Sequence, residues 1–144
     1  MYYIDILESV YRELAFSLYS KDCEKGGIIG VVDGIVMKFA ADNFPLEASA
    51  KLYKPNIIKL NEIIDDWSRK GIIFVGFVHS HLKGNSLSEQ DVIFARNYMN
   101  RFSFNRISMG VFDCSTLRLS MYYITNTGIF PMKFNIKPRC NNGR

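Results

Sequence analysis

The chain has 144 residues, of which 48% are hydrophobic, so it can bury one compact core. Its formal net charge is +4, and the basic residues are scattered among acidic ones, which argues against a nucleic-acid partner. We therefore predict a single domain over residues 1–137 and a flexible tail over residues 138–144.

Targeting and redox signals favour a cytoplasmic protein without a membrane partner. Charged residues interrupt the apolar pattern of the N-terminal segment, which argues against a signal peptide, and no apolar stretch is long enough to span a bilayer. Three cysteines, Cys23, Cys114 and Cys140, cannot all pair within the chain and suit a reducing compartment. Cys23 precedes Glu24, so it is either a reactive thiolate or an inert, buried cysteine.

The first part of the chain predicts a helix and then a hairpin. Apolar residues recur at helical spacing over residues 4–19, which is typical of an amphipathic helix. Two apolar runs follow over residues 27–32 and 35–40. Asp33 and Gly34 separate them and suit a two-residue hairpin turn.

The middle of the chain predicts a second helix and a buried strand. A helical stripe over residues 55–69 begins at Pro55, which opens helices well, and Gly71 can close it. Residues 72–78 are almost continuously apolar and rich in β-branched and aromatic side chains. Such a run indicates a central strand that is buried on both faces.

The last part of the chain predicts a third helix and three further strands. The helix covers residues 88–102, and the strands cover residues 107–112, 117–124 and 129–136, the last weakened by Pro131. Together the elements predict an α/β protein in which a mixed β-sheet is flanked by helices in three layers.

The two histidines of the chain, His79 and His81, follow the most strand-like segment. Side chains at i and i+2 of an extended chain point to one face, about 6 to 7 Å apart, so two imidazoles can converge on one metal ion. An isolated pair of this kind is more simply read as two polar residues that end a strand.

The motif SEQD, Ser88 to Asp91, begins the helix that follows these histidines. A serine with an acidic residue three positions later is also a helix-capping pattern that needs no function. Helical side chains lean towards the N-terminus, however, so Asp91 would point back at the histidine loop. Two imidazoles and one carboxylate, with water as the fourth ligand, are the donor set of catalytic zinc. Glu24 is a candidate base.

These residues resemble the motifs of the JAMM metalloproteases, a family of MPN-domain zinc enzymes. The matching pieces are EKGGIIG from Glu24, GFVHSH ending in His79 and His81, and SEQD from Ser88 to Asp91, in the family's order. The resemblance implies the three-layer MPN architecture, which is similar to that of cytidine deaminases. It also implies Zn²⁺ bound by His79, His81 and Asp91, with Glu24 accepting a proton and Ser88 hydrogen-bonding the oxyanion.

The resemblance further implies a substrate class. Family members cut after the C-terminal tail of ubiquitin or of ubiquitin-like proteins, so we expect a peptide or isopeptide bond as the target. The short chain is similar to compact prokaryotic members, for which a ubiquitin-like protein or sulfur carrier is the expected substrate. The particular modifier, the bond type, the pathway and the oligomeric state stay open.

The chain departs from the family's pattern between the histidines and the serine. Leu82 stands where the family favours proline, and the loop over residues 82–87 is one residue shorter than is common. Loops absorb such deletions at low cost, so we keep Ser88, with Ser86 as its rival.

Two alternatives come from other functional classes. A non-catalytic MPN-like scaffold would bind partner proteins, although such relatives usually lack one or more of the ligands kept here. The other alternative is a nucleic-acid-linked relative of RadC type, or a deaminase with a related layered fold. A deaminase would carry the HxE and PCxxC signatures, and neither occurs in this sequence. The mild net charge gives a nucleic-acid role little support.

Overall fold

The computed structural model describes residues 2–138, and it begins with a strand. Strand β1 (Tyr2–Leu7) leads directly into helix α1 (Glu8–Leu18). The predicted helix over residues 4–19 is therefore wrong in its first turn. Residues 2–7 are extended and pair with β9, so the apolar residues that begin the predicted helix belong to a strand.

The predicted hairpin is confirmed. Strand β2 (Gly26–Val32) pairs antiparallel with β3 (Ile35–Ala41). Asp33 and Gly34 form the turn with φ angles of 52° and 80°, the left-handed values that a tight hairpin of this kind requires.

A second, smaller hairpin was not predicted. Strands β4 (Glu47–Ala48) and β5 (Tyr53–Lys54) form a separate two-stranded sheet. Helix α2 (Ile57–Arg69) follows, and its N-cap is Asn56, whose side chain accepts a hydrogen bond from the Lys59 amide at 3.2 Å. The helix therefore begins two residues after Pro55.

The remaining elements lie close to their predicted positions. They are strand β6 (Ile73–His81), helix α3 (Glu89–Phe102) and strands β7 (Arg106–Asp113), β8 (Arg118–Thr125) and β9 (Ile129–Lys137). Pro131 lies inside β9, just before the stretch that pairs with β1. The strand tolerates proline there because it is paired on one side alone.

Seven strands close into a mixed barrel in the order β1, β3, β2, β6, β7, β8, β9. The prediction of three layers in the MPN architecture is therefore wrong. Strand β1 accounts for the difference, because it pairs in parallel with β9 on one side and with β3 on the other. If residues 4–7 were helical, as predicted, β3 and β9 would have no strand between them and the sheet would not close into a barrel.

Each face of the barrel sheet has its own apolar core. Helices α2 and α3 pack over one face, where Phe77 and Met109 are buried. Helix α1 packs on the other face, where it buries Leu14 against Val78 and Phe112. Since side chains alternate along a strand, β6 presents His79 and His81 on the same face as Phe77.

No helix within residues 2–138 is long and apolar enough to cross a membrane. Of the predicted tail, Pro138 is exposed. Residues 139–144, which include Cys140, lie outside the described residues.

Candidate metal centre

Strand β6 carries both histidines at its C-terminal end. It is held between β2, where Gly26 is the partner of His79, and β7, where Asp113 is the partner of His81. The two imidazole Nε2 atoms lie 3.0 Å apart. Pairing on both sides fixes the strand and thereby directs both rings to one point.

Helix α3 supplies the third member of the group. The Asp91 Oδ2 atom lies 3.1 Å from His79 Nε2 and 3.4 Å from His81 Nε2. Among the described residues, these three side chains form the one group of candidate ligands that lie close enough together to hold a metal ion. Cys23 is not part of it.

The distances suit zinc. Ligands about 2.0 to 2.1 Å from a tetrahedral zinc ion are about 3.3 Å from one another. The triangle formed by the two Nε2 atoms and Oδ2 has sides of 3.0, 3.1 and 3.4 Å. His79 is buried, whereas His81 and Asp91 are half-buried, so one side of the triangle faces outward. The three residues therefore fit a zinc ion with an open fourth position.

Asp91 and the histidines beside it affect one another's protonation. Burial opposes ionisation of Asp91, but its hydrogen bonds to His79 and His81 hold the pKa of its carboxyl below its usual range. The hydrogen bond that His81 donates to Asp91 raises the pKa of His81, against the effect of burial. The carboxylate is thus ionised and ready to act as a ligand, and a cation is the charge that the site favours.

Glu24 lies beside the triangle, in the segment before β2. The residue is buried, with 9% of its surface exposed, and its backbone N–H donates to the Ser49 carbonyl at 2.8 Å. Burial raises the pKa of Glu24, although attraction to His81 and His79 acts in the opposite direction. A carboxyl shifted in this direction is better suited to accept and return a proton near neutral pH.

Ser88 is the N-cap of α3 and is linked to Asp91. Its Oγ atom accepts a hydrogen bond from the Asp91 amide at 3.0 Å, and its own amide donates to Asp91 Oδ2 at 2.8 Å. The predicted capping box is therefore present, and it holds the Asp91 carboxylate in place. Because Oγ acts as an acceptor in this box, its hydroxyl hydrogen is available to another group. Ser86 lies in the loop and has no such link to the ligand.

Three residues near the triangle were not predicted from the sequence. They are Ser80, Tyr53 and Asp113. Ser80 is the residue between the two histidines and is fully buried. Because side chains alternate along a strand, it lies on the opposite face of β6 from His79 and His81. Its Oγ atom accepts from the Lys25 amide at 2.9 Å, and its amide donates to the Lys25 carbonyl at 2.8 Å. Ser80 therefore fixes the backbone next to Glu24.

Tyr53 lies against His79. The two rings are nearly parallel, with centroids 6.4 Å apart. The Tyr53 hydroxyl donates to Asp42 Oδ2 at 2.7 Å, which anchors β5 over the site. Gly26 makes room for the ring, because a Cβ atom at Gly26 would lie 2.2 Å from a ring carbon of Tyr53. Gly26 lies inside strand β2 and therefore has a packing role.

Asp113 supports the loop that follows His81. It is buried, and its Oδ1 atom accepts from the Ser115 amide at 2.9 Å and from the Ser115 hydroxyl at 2.6 Å. Burial works against ionisation, but these bonds and others from Thr116 and the Gly84 backbone lower the pKa of Asp113. Gly84 belongs to the shortened loop, so Asp113 helps to hold it beside the histidines.

A solved structure with a similar fold is known from Desulfitobacterium hafniense. The solution structure of this structural-genomics target matches with a TM-score of 0.76 over 94% of each chain, at 17% sequence identity. At that identity the likeness shows the fold alone. No family model and no curated protein matches this chain.

Proposed function

We propose that this chain is a zinc-dependent metallohydrolase that cleaves a peptide or isopeptide bond. One observation carries the proposal. Two imidazole nitrogens and one carboxylate oxygen form a triangle of the size that zinc requires, and a buried glutamate with a raised pKa lies beside it. A zinc site of purely structural type would need a fourth protein ligand, and within residues 2–138 the group has three.

Different residues of the chain would have different roles in hydrolysis. His79, His81 and Asp91 would hold the zinc, which when bound supplies Lewis acidity towards water and towards a substrate carbonyl. Glu24 would take a proton from the water that adds to the carbonyl carbon and would return it to the amine that leaves when the C–N bond breaks. Ser88 donates its hydroxyl hydrogen to the oxygen on which negative charge develops.

The substrate class rests on the resemblance to JAMM metalloproteases. The order of Glu24, the HxH pair and the SxxD motif is that of enzymes that cut after the C-terminal tail of ubiquitin-like proteins. An extended tail binds by adding a strand to a free sheet edge. The β4–β5 pair lies outside the closed barrel and reaches Glu24 through Ser49, so it is the candidate edge. A ubiquitin-like protein or sulfur carrier is the substrate that we propose, in the cytoplasm.

Glu24→Gln tests the proposal, because it removes the base and leaves the three ligands. The assay uses a panel of ubiquitin-like proteins and sulfur carriers, each carrying a C-terminal aminocoumarin amide, with zinc-loaded protein. We expect the variant to keep its zinc and to lose about 10² to 10⁴-fold in hydrolysis rate, which is the usual contribution of a general base. Chelation of the wild-type protein should abolish hydrolysis, and added zinc should restore it.

Glu62→Gln is the matched control, since Glu62 is an exposed glutamate on α2. It should hydrolyse the substrates at the wild-type rate. Full activity of Glu24→Gln would contradict the role of Glu24. Activity that persists in the chelator would contradict the proposed dependence on a metal.

A further inference from the structure

A cavity of about 670 Å³ opens at the end of the barrel opposite the histidines. Strands β6 and β7 pair from Gly76 and Ser108 onwards, so their first residues are not paired with each other. The cavity lies where the two strands separate, and β1, β8 and β9 complete its walls. Its volume falls in the range of about 300 to 1,000 Å³ that is usual for small-molecule sites.

Ser108 places a buried hydroxyl in the wall of this cavity. The residue is 5% exposed, and its side chain makes no hydrogen bond with any residue in the described part of the chain. Its partner on β6 is Gly76, which has no side chain to offer. Burial of a hydroxyl without a partner is unfavourable, so a bound molecule with a hydrogen-bond acceptor would relieve that cost.

Arg106 gives the mouth of the cavity a positive charge. It is exposed, and its guanidinium carbon lies 5.6 Å from the ring centroid of Tyr123. Within residues 2–138 no carboxylate pairs with it, and none of the described residues that line the cavity is acidic. An anion is therefore the complementary charge at this mouth.

Aromatic rings form one side of the same site. Tyr2 and Tyr123 both line the cavity, and their rings stack with centroids 4.6 Å apart. Tyr2 is 40% exposed and Tyr123 is half-buried. Partly exposed rings that already stack on one another offer a surface for a further flat, apolar group.

We propose that this cavity binds a small organic anion with an aromatic or other planar apolar body. Arg106 and Ser108 hold the anionic group, and the aromatic side holds the body. Strand β6 leads from the cavity to the histidines, which places the two sites roughly 15 to 20 Å apart. The proposal therefore stands independently of the proposed hydrolase function.

The probe is 1-anilinonaphthalene-8-sulfonate, which combines an aromatic body with one anionic group. Binding is followed by fluorescence and by backbone amide shifts in NMR spectra of the folded protein. We expect one saturable site per chain, with the largest amide shifts at Val75 and Ser108. Arg106→Gln should weaken the affinity about tenfold, as expected for the loss of one hydrogen bond to a charged group. Arg106 is exposed, so its replacement leaves the core intact.

Arg101→Gln is the matched control, because Arg101 is exposed on α3 but does not line the cavity. It should bind the probe like the wild-type chain. Ser108→Ala should weaken binding several-fold while the protein keeps its fold, because it removes the hydroxyl. The proposal would be overturned if the probe showed no saturable binding or if both arginine variants lost the same affinity. It would also be overturned if the amide shifts were confined to other parts of the barrel.

Discussion

Gly26 and Tyr53 show how the absence of one side chain shapes the candidate metal centre. Gly26 pairs with His79 across the sheet, and the Tyr53 ring occupies the space where a Cβ atom would lie. The ring thus packs against His79 and covers one side of the triangle. A glycine here serves close packing, since Gly26 has no positive φ angle.

Gly26→Ala should displace the Tyr53 ring. Because the ring is packed and its hydroxyl is bound to Asp42, we expect a loss of about 1 to 3 kcal/mol in the free energy of unfolding and weaker zinc binding. Denaturant unfolding and a zinc titration measure the two effects. A double-mutant cycle with Tyr53→Ala supplies the control, because the alanine at position 26 meets no ring in that background. Equal cost of Gly26→Ala in both backgrounds would contradict this packing role.

The sequence predicts the local part of this site well. The i, i+2 spacing of His79 and His81 follows from strand geometry, and the position of Asp91 follows from helix geometry. Tyr53 and Asp113 lie far from His79 and His81 along the chain. Their contacts depend on strand pairing that a single sequence does not reveal, so they could not be predicted.

At the scale of elements, the start of helix α3 both caps the helix and positions the Asp91 carboxylate beside the histidines. Ser88 and Asp91 exchange two hydrogen bonds, and Asp91 also reaches both histidines. Capping satisfies amides that the first turn of a helix leaves free. The same bonds restrict the carboxylate to the orientation that faces His79 and His81.

Ser88→Ala and Ser86→Ala separate the two serines that the sequence left as rivals. We expect Ser88→Ala to lower the free energy of unfolding by about 1 kcal/mol, the usual cost of a lost N-cap, and to weaken zinc binding. Ser86→Ala should leave both quantities close to those of the wild-type protein. Thermal unfolding with and without zinc measures the difference. The assignment of Ser88 would be wrong if the two variants behaved alike.

Elements with a strong local sequence signal were predicted. The strands β1, β4 and β5, which depend on pairing with another strand, were missed. The Asp33 and Gly34 turn fixed the first hairpin, because few residues adopt left-handed angles readily. Strand β1 continues into a helix without a loop, so one apolar pattern covered two elements. Strands β4 and β5 are two residues long, which is too short for a periodic signal.

At the scale of the molecule, closure of the barrel distinguishes the structure from the predicted layered sheet. Strand β1 pairs with β9 over six residues and with β3 over two, and these contacts join the two edges of the sheet. Both pairings are parallel and join segments that are distant in sequence. Closure separates the histidine end from the opposite end, so the two proposed sites lie at different ends of the barrel.

The central claim is that the triangle of His79, His81 and Asp91 binds zinc, and elemental analysis of the purified protein tests it most directly. The account predicts about one zinc per chain in the wild-type protein and a loss of that zinc in His79→Ala prepared in the same way. Absence of zinc from the wild-type protein, even after incubation with the metal, would contradict the account and favour a non-catalytic scaffold. Equal zinc content in both proteins would place the metal elsewhere and contradict the assigned ligands.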